Sequence, residues 1–229
     1  MVRFTADHRV YIKILYWGMG GSGKTTIVDT LFRLTNEQNL EIEPSGNLTK
    51  IAMASGSTLY FDRGIFQSKK TRKVFYHVYT VAGQSRFSPL RKKIYKGTDG
   101  VIFVVDAQTH LFEDNIESLK ELKKVAKGDL IKETPILIML NKKDLTETIN
   151  GSEFEQILRD EGLWYDPPHR LAIWNPIIYE SCALYNKQKN IYRSFNECAR
   201  RTGIYQIYGN GTAPVNDDFL KNEKKVKES

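Results

Sequence analysis

Hydrophobic and polar residues follow two different periods along this chain, one typical of strands and one typical of helices. The run VYIKILYW at residues 10–17 is rich in β-branched and aromatic side chains, as buried strands are. The next run, TTIVDTLFRL at residues 25–34, carries apolar residues at helical spacing. Because a strand followed by a helix forms a βα unit, the pattern predicts an α/β fold.

Strands and helices continue to alternate over most of the chain. Further strands are predicted at residues 101–107, 135–144 and 176–183. Further helices are predicted near residues 113–127, 152–161 and 187–201. Continuous apolar strands that alternate with helices form parallel sheets with both faces covered. We therefore expect a six-stranded, mostly parallel sheet with helices on both faces.

Two parts of the chain depart from this alternation. Residues 36–56 lack periodicity and contain Pro44 and two glycines, so we predict a long loop there, and loops of that length are more often functional than idle. Residues 57–67 and 73–80 are apolar runs joined by a short basic turn. This arrangement predicts an antiparallel hairpin.

The composition of the chain changes after Gly203. From there the composition shifts towards Gly, Asn, Asp and Lys, with little apolar content after Leu220. A segment of this composition buries too little apolar surface to fold on its own. We therefore expect one domain over residues 1–203 and a polar, basic and partly disordered tail over residues 204–229.

Composition excludes several classes of protein. Hydrophobic residues make up 41% of the chain and charged residues 27%, and no apolar run approaches the length of a membrane span. The N-terminal residues do not resemble a secretory signal. The two cysteines, Cys182 and Cys198, suggest buried free thiols rather than a disulfide framework or a metal site. These features predict a cytoplasmic protein.

The formal net charge of +7 leaves two alternatives, a solvated basic surface or an anionic partner. The basic clusters, among them RKK at residues 91–93, lack the interleaved aromatic residues of a base-stacking surface. We therefore favour a solvated surface and expect no nucleic-acid partner. Val2 excludes N-myristoylation and the final VKES has no prenylatable cysteine, so membrane contact is expected to be weak at most.

Candidate chemistry begins directly after the first predicted strand, where GMGGSGKT at residues 18–25 satisfies the phosphate-loop pattern G-x-x-x-x-G-K-[ST]. Glycines let successive N–H groups turn inward, and with the helix N-terminus they form a cradle for a phosphate chain. Lys24 is expected to reach the β- and γ-phosphates, and the Thr25 hydroxyl to bind Mg²⁺. The loop alone leaves adenine and guanine nucleotides both open. The expected phosphate-binding residues are Gly20, Gly21, Ser22, Gly23, Lys24, Thr25 and Thr26.

A second polar motif, NKKD at residues 141–144, comes directly after the apolar run PILIML of the strand predicted there, at the end where open α/β sheets bind ligands. The Asp144 carboxylate can accept hydrogen bonds from guanine N1–H and the exocyclic amine, donors that adenine lacks at those edges. Asn141 can bond the base and connect neighbouring loops, and Lys142 can cover the base while its ammonium stays solvated. The order of the motifs favours guanine. At the end of the next strand, a backbone N–H can meet guanine O6 from Ser181, Cys182 and Ala183.

The phosphate loop, NKKD and SCA at residues 181–183 resemble three of the five signatures of the Ras-like small GTPase superfamily, over residues 10–202. TVAGQ at residues 80–84 is similar to the TVPGQ-like motif of the MglA-like branch, bacterial and archaeal GTPases that control cell polarity and gliding. STLYFD at residues 57–62 is similar to TLFFDF of that branch, and Arf-like features accompany the resemblance. The resemblance implies a P-loop NTPase with a Ras-like G domain.

The resemblance also implies roles for residues of the two switch regions. Thr58 would be the switch I threonine, which binds Mg²⁺ and contacts the γ-phosphate, and Gly83 would contact the γ-phosphate from switch II. Gln84 matches the glutamine that orients the attacking water, and Lys24 would neutralise charge during phosphoryl transfer. Gln84 and Lys24 are thus the implied catalytic residues, and Thr25 and Thr58 the implied metal ligands.

One departure from the family pattern concerns the metal. Thr80 replaces the aspartate that orients the Mg²⁺ shell in the family. Asp106, at the end of VIFVVD, looks like a Walker B acid, but the Ras-like strand order favours a structural role for it. Asp62 is a further alternative for the missing acid.

A second departure concerns the arginine that usually assists rapid hydrolysis. Ser57 stands where the MglA-like branch carries an arginine, just before the switch I threonine. Arg63 belongs to a predicted strand and Arg86 to the switch II helix, and both are expected to face solvent. We therefore predict slow intrinsic hydrolysis that a partner can accelerate.

These features predict a GTP/GDP molecular switch in cell polarity, motility or trafficking-like regulation. The alternatives are a GTP-binding scaffold with negligible hydrolysis and a small-molecule P-loop kinase, although a kinase would leave NKKD unexplained. Switch segments that change with the γ-phosphate present a surface that partners can distinguish. The resemblance implies that an effector and a Roadblock/LC7-type regulator bind this switch face.

Overall fold

One β-sheet organises the protein. The structure is a computed structural model, and it describes residues 3–51, 61–83 and 88–215. The strands are β1 (Arg3–Phe4), β2 (Val10–Trp17), β3 (Ile42–Pro44), β4 (Thr49–Ile51), β5 (Phe61–Ser68), β6 (Val74–Thr80), β7 (Gly100–Asp106), β8 (Ile136–Asn141) and β9 (Ile178–Glu180). The helices are α1 (Lys24–Glu37), α2 (Ser88–Tyr95), α3 (Phe112–Ala126), α4 (Gly151–Asp160) and α5 (Ile191–Gly209).

The main path of the sheet runs in the order β3-β5-β6-β2-β7-β8-β9, with β1 beside β2 and β4 beside β5. From β6 to β9 all neighbours on this path are parallel, whereas β3 and β5 form an antiparallel edge. The predicted parallel sheet and antiparallel hairpin are confirmed. The path contains seven strands in the described part of the chain rather than six, because β3 lies in the stretch expected to be a loop. Strands of three residues, as β3 and β4 are, have no readable period.

Alternate residues of the central strands face opposite layers of helices. On β2, Leu15 and Trp17 belong to the core on the side of α3 and α4. Ile14 and Tyr16 belong to the core on the side of α1 and α5. All four side chains are fully buried. Helices therefore cover both faces of the sheet, which explains why its central strands are continuously apolar.

The C-terminal helix is longer than its sequence pattern predicts. The pattern ends this helix near residue 201, whereas α5 continues to Gly209. Tyr205 is fully buried, donates its hydroxyl to the Ile131 carbonyl at 2.7 Å, and meets Trp174 edge to face at 4.9 Å. Tertiary packing thus extends the helix. The boundary between domain and tail after residue 203 stays a prediction, to which the structure adds that Ala213 is also buried.

We expect Trp174→Ala to lower the free energy of unfolding by about 3–5 kcal/mol. Trp174 is 2% exposed, and its indole N–H donates to the Pro214 carbonyl at 2.9 Å, so the substitution leaves a cavity and removes a hydrogen bond. Denaturant unfolding measures the change. Ile207→Ala on α5 is the control, because Ile207 is 72% exposed and its truncation should cost less than about 0.5 kcal/mol. Equal effects of the two substitutions would contradict the packing of Trp174 in the cooperative core.

Both cysteines are free and buried, as predicted. Burial raises the pKa of Cys198 to about 12, which keeps its thiol protonated and unreactive at neutral pH. No helix in residues 3–51, 61–83 or 88–215 has the length and apolar composition needed to cross a bilayer.

Candidate functional site

The ends of the parallel strands bring the predicted motifs to one edge of the sheet. β2 ends at Trp17, directly before the phosphate loop. The neighbouring strand β6 ends at Thr80, which is in register with Tyr16 of β2. β7 and β8 end side by side, with Asp106 in register with Asn141. Because carboxyl ends of parallel strands are where open α/β sheets bind ligands, this edge is the candidate site.

The phosphate loop holds its lysine against its own backbone. Lys24 is 6% exposed, and its ammonium donates to the carbonyls of Gly18 at 2.9 Å and Met19 at 2.6 Å. It also contacts the Ser22 hydroxyl at 3.3 Å. A buried ammonium at the N-terminus of α1 adds its charge to the positive end of the helix dipole. The loop therefore favours an anion such as a phosphate chain.

Asn141 and Gly23 join the phosphate loop to the NKKD motif. Gly23 has a φ of 95°, the left-handed conformation that glycine adopts readily, and a Cβ there would lie 2.3 Å from the Asn141 side-chain nitrogen. Asn141 is 1% exposed and donates to the Ser22 carbonyl at 2.8 Å, so the link between loops that the sequence predicts is present. The Asn141 Oδ1 is buried without a hydrogen-bond partner among the described residues. Such an acceptor fits a donor supplied by a ligand.

Lys142 and Asp106 form an ion pair at the same edge. The Lys142 ammonium is 2.6 Å from the Asp106 carboxylate, and Asp106 is 1% exposed. The Lys142 side chain is 31% exposed, so the expected solvent contact of its ammonium stays a prediction, to which the register of β7 and β8 adds the pairing with Asp106. Asp106 also accepts hydrogen bonds from the backbone and side-chain amides of Gln108. These contacts agree with the structural role that the sequence favours for Asp106.

The SCA tripeptide is fixed from two directions. The Ser181 N–H donates to the Leu140 carbonyl at 2.8 Å, and the Ala183 carbonyl accepts the Thr30 hydroxyl of α1 at 2.6 Å. Cys182 is 4% exposed, and its pKa is raised by burial and also by the neighbouring Asp144 carboxylate. The tripeptide and the last residue of NKKD thus lie side by side, as a shared base site requires.

Hydroxyl groups are the candidate metal donors at this edge. Thr25 is exposed on the first turn of α1, and Thr80 is 1% exposed at the end of β6. Among the described residues there is no group of three or more His, Cys, Asp or Glu side chains that could hold a metal ion. Hydroxyls suit Mg²⁺, which keeps several waters and is commonly bound through substrate phosphates rather than by an all-protein cage.

Several predicted residues lie outside the described parts of the chain. These are Ser57, Thr58, Gln84 and Arg86, together with the side chain of Asp62. Arg63 lies on β5, as expected, but it is partly buried rather than facing solvent, with its Nε buried and its guanidinium 5.9 Å from the centre of the Tyr79 ring. The roles of the undescribed residues stay predictions.

Arg91 is the residue that sequence reasoning missed. The interpretation of residues 91–93 as a solvated basic cluster is wrong for Arg91, which is 2% exposed and donates to the Gly83 carbonyl at 3.2 Å. Its position relative to Ile94 and Tyr95, three and four residues further along α2, is the signal that identifies it. Both side chains pack against the core, and residues at this spacing share a helix face.

A phosphate loop after the first long strand, a base motif tied to it, and a parallel sheet with an antiparallel edge hairpin define a P-loop GTPase domain of the Ras-like type. The chain belongs to the ADP-ribosylation factor family, which matches residues 1–189. The expected Ras-like small GTPase with MglA and Arf features is confirmed. As a member of this family, the protein is a GTP-binding GTPase.

Two kinds of relative resemble the chain. It is 33% identical to the mutual gliding-motility protein MglA of Myxococcus xanthus (strain DK1622) over 165 residues, which are 69% of this chain and 80% of that protein. It is 31% identical to the ADP-ribosylation factor-like protein 4A of Homo sapiens over 147 residues, 63% of this chain and 64% of that protein. For the ADP-ribosylation factor-like protein 4C of Homo sapiens, the identity is 31% over 150 residues, 64% of this chain and 68% of that protein.

Proposed function

We propose that the protein is a molecular switch that binds GTP and GDP with Mg²⁺ and hydrolyses GTP slowly unless a partner stimulates it. The observation that carries this proposal is the 2.8 Å hydrogen bond from Asn141 to the Ser22 carbonyl. It makes the phosphate loop and the base motif two halves of one site, so one nucleotide can occupy both. A GTP-binding GTPase with such a site can present different surfaces in its two nucleotide states.

The phosphate half of the site is proposed to use the first turn of α1. Lys24 donates to the β- and γ-phosphates, while backbone N–H groups of the loop and the neighbouring Thr26 surround the chain. The exposed Thr25 hydroxyl and Thr58 hold Mg²⁺. When bound, this ion neutralises charge on the β- and γ-phosphate oxygens. The exposure of Thr25 beside the buried Lys24 supports this assignment.

The base half of the site is proposed to recognise guanine. Asp144 accepts the N1–H and exocyclic amine hydrogens of the base, and a backbone N–H of residues 181–183 donates to O6. The stem of Lys142 covers the base while its ammonium remains paired with Asp106. The position of Cys182 next to Asp144 supports a common base site.

The two switches are proposed to complete the site around the γ-phosphate. Thr58 and Gly83 contact it, and Gln84 orients the attacking water. Slow turnover follows because Ser57 supplies no arginine, so Lys24, and Mg²⁺ when bound, would neutralise charge on the transferred phosphoryl group without that further cation. A role in polarity or motility belongs to the same proposal, and the similarity to the gliding-motility protein MglA supports it. A cytoplasmic location, a switch-face effector and a Roadblock/LC7-type regulator are further parts of the proposal.

Single-turnover hydrolysis of GTP by the purified protein tests the rate. We expect an intrinsic rate constant on the order of 10⁻⁴ to 10⁻³ s⁻¹, as for unassisted Ras-like proteins. A rate near 10⁻² s⁻¹ or above, on the order of that of G proteins with an arginine in cis, would contradict the proposed lack of an internal arginine. Complete absence of phosphate release over a day, with nucleotide bound, would instead identify a scaffold.

A further inference from the structure

The buried guanidinium of Arg91 links three parts of the protein that surround the phosphate loop. One nitrogen donates to the Gly83 carbonyl at 3.2 Å, and another forms an ion pair with Glu121 of α3. The guanidinium carbon also lies 5.3 Å from the centre of the Trp17 ring, at the end of β2. The Arg91 side chain is 3% exposed, so these contacts are shielded from water. Charge-assisted hydrogen bonds in such surroundings are stronger than at the surface.

The partners of Arg91 other than Gly83 belong to regular secondary structure, Trp17 to β2 and Glu121 to α3. Trp17 is fully buried, and its indole N–H donates to the Ser118 carbonyl of α3 at 3.2 Å. Glu121 lies on the same helix one turn further along. Arg91 is therefore attached to α3 and to the end of β2, and we call these two elements the frame; the phosphate loop follows β2 directly.

Gly83 lies between this frame and the phosphate loop. A Cβ at Gly83 would be 2.1 Å from the Met19 carbonyl carbon and 2.2 Å from the Gly20 nitrogen, so its backbone directly contacts the loop. A cavity of about 360 Å³ borders Gly83, Arg91 and Glu121 as well as Met19 and Gly20 of the phosphate loop. Side chains therefore leave part of the space around Gly83 unfilled. The hydrogen bond from Arg91 attaches Gly83 at the wall of this cavity.

We propose that Arg91 is a positioning residue that holds Gly83 against the phosphate loop and so strengthens binding of GTP relative to GDP. The inference rests on the proposed function, in which the Gly83 N–H contacts the γ-phosphate. GDP has no γ-phosphate, so the position of Gly83 affects its affinity less. The Gly83 carbonyl and N–H belong to one residue, and fixing the carbonyl restricts where the N–H can point.

Arginine suits this role better than lysine. Its planar guanidinium offers several N–H donors in a fixed geometry, so one side chain can serve Gly83 and Glu121 at the same time. A lysine ammonium at this position retains the charge but can serve both acceptors only with poorer geometry. Arg91→Ala removes both the charge and the guanidinium donors, whereas Arg91→Lys keeps the charge and removes only the donor geometry that serves two acceptors. Comparison of the two variants therefore separates these effects.

Dissociation constants of GDP and of a non-hydrolysable GTP analogue, measured with Mg²⁺ for each variant, test the proposal. In Arg91→Ala we expect the preference for the GTP analogue over GDP to fall by about tenfold or more, the effect of one charge-assisted hydrogen bond. The preference of Arg91→Lys for the GTP analogue over GDP should be intermediate between that of Arg91→Ala and that of the parent protein. Glu121→Gln should lower the same preference by a smaller factor. If Arg91→Ala does not fold, the preference measured for Glu121→Gln tests the proposal.

Arg201 provides a matched control at the far side of the domain. Arg201 is 4% exposed, pairs with Glu197, donates to the Trp174 carbonyl at 3.2 Å and lies 5.8 Å from the Trp174 ring centre. Arg201→Ala should lower stability as Arg91→Ala does but leave the preference between nucleotides unchanged. An unchanged preference in Arg91→Ala and Glu121→Gln would overturn the inference. Failure of the parent protein to bind either nucleotide would overturn the proposed function instead.

Discussion

Asp144→Asn is expected to change the preferred base of the bound nucleotide from guanine to xanthine. The carboxylate accepts two guanine hydrogens, whereas an asparagine amide places a donor against at least one of them. Xanthine carries a carbonyl in place of the exocyclic amine, so it can accept from the amide. Affinity for GDP should fall by about two to three orders of magnitude, the loss of charge-assisted hydrogen bonds, and affinity for xanthosine diphosphate should rise.

Competition between GDP and xanthosine diphosphate for the same fluorescent nucleotide measures this change. Asp166→Asn is the matched control, because the Asp166 carboxylate is also paired with a basic side chain, Arg159 at 2.5 Å. The Asp144 carboxylate lies 3.8 Å from the Lys187 ammonium. Both substitutions thus remove one paired carboxylate charge, and only Asp144→Asn should alter base preference. Retention of guanine preference in Asp144→Asn would show that the base site is assigned to the wrong residue.

Periodicity was sufficient to predict the long elements of this fold, because their burial repeats along the sequence. VYIKILYW at residues 10–17 is β2, and the placement of the motifs after β2 and β8 follows from the strand pattern alone. The edge strands β3 and β4 escaped prediction because three residues contain too few repeats. Long strands and helices are predictable because their hydrophobic pattern repeats several times, whereas a strand of three residues is too short for a repeat to be recognised.

Contacts between distant residues were less accessible from the sequence. The pairing of Lys142 with Asp106 depends on the register of β7 and β8, which no local pattern contains. The burial of Arg91 depends on Glu121 and Trp17, which lie far from it along the chain. The helical spacing of Arg91 relative to Ile94 and Tyr95 indicates a buried face, but the residues that Arg91 contacts on that face follow only from the tertiary structure.

Gly83→Ala is expected to reduce GTP hydrolysis by about a hundredfold, because a displacement of about 1 Å near a reacting group can cost that factor. A Cβ at Gly83 would lie 2.1 Å from the Met19 carbonyl carbon and 2.2 Å from the Gly20 nitrogen. Both contacts are to backbone atoms, which cannot rotate away as a flexible side chain can. The backbone at residue 83 must therefore move away from the phosphate loop, and its N–H loses the position proposed for contact with the γ-phosphate.

Phosphate release from radiolabelled GTP, followed for a day under single-turnover conditions, can resolve a decrease of this size. Gly203→Ala is the matched control, since a Cβ at Gly203 in α5 would meet nothing within 4 Å. That substitution should leave hydrolysis unchanged and stabilise the helix by about 0.5–1 kcal/mol. GDP affinity of Gly83→Ala should stay within a few-fold of the parent value, because the displaced residue acts on the γ-phosphate. Hydrolysis by Gly83→Ala at the parent rate would mean that the backbone of residue 83 takes no part in placing the reacting phosphate.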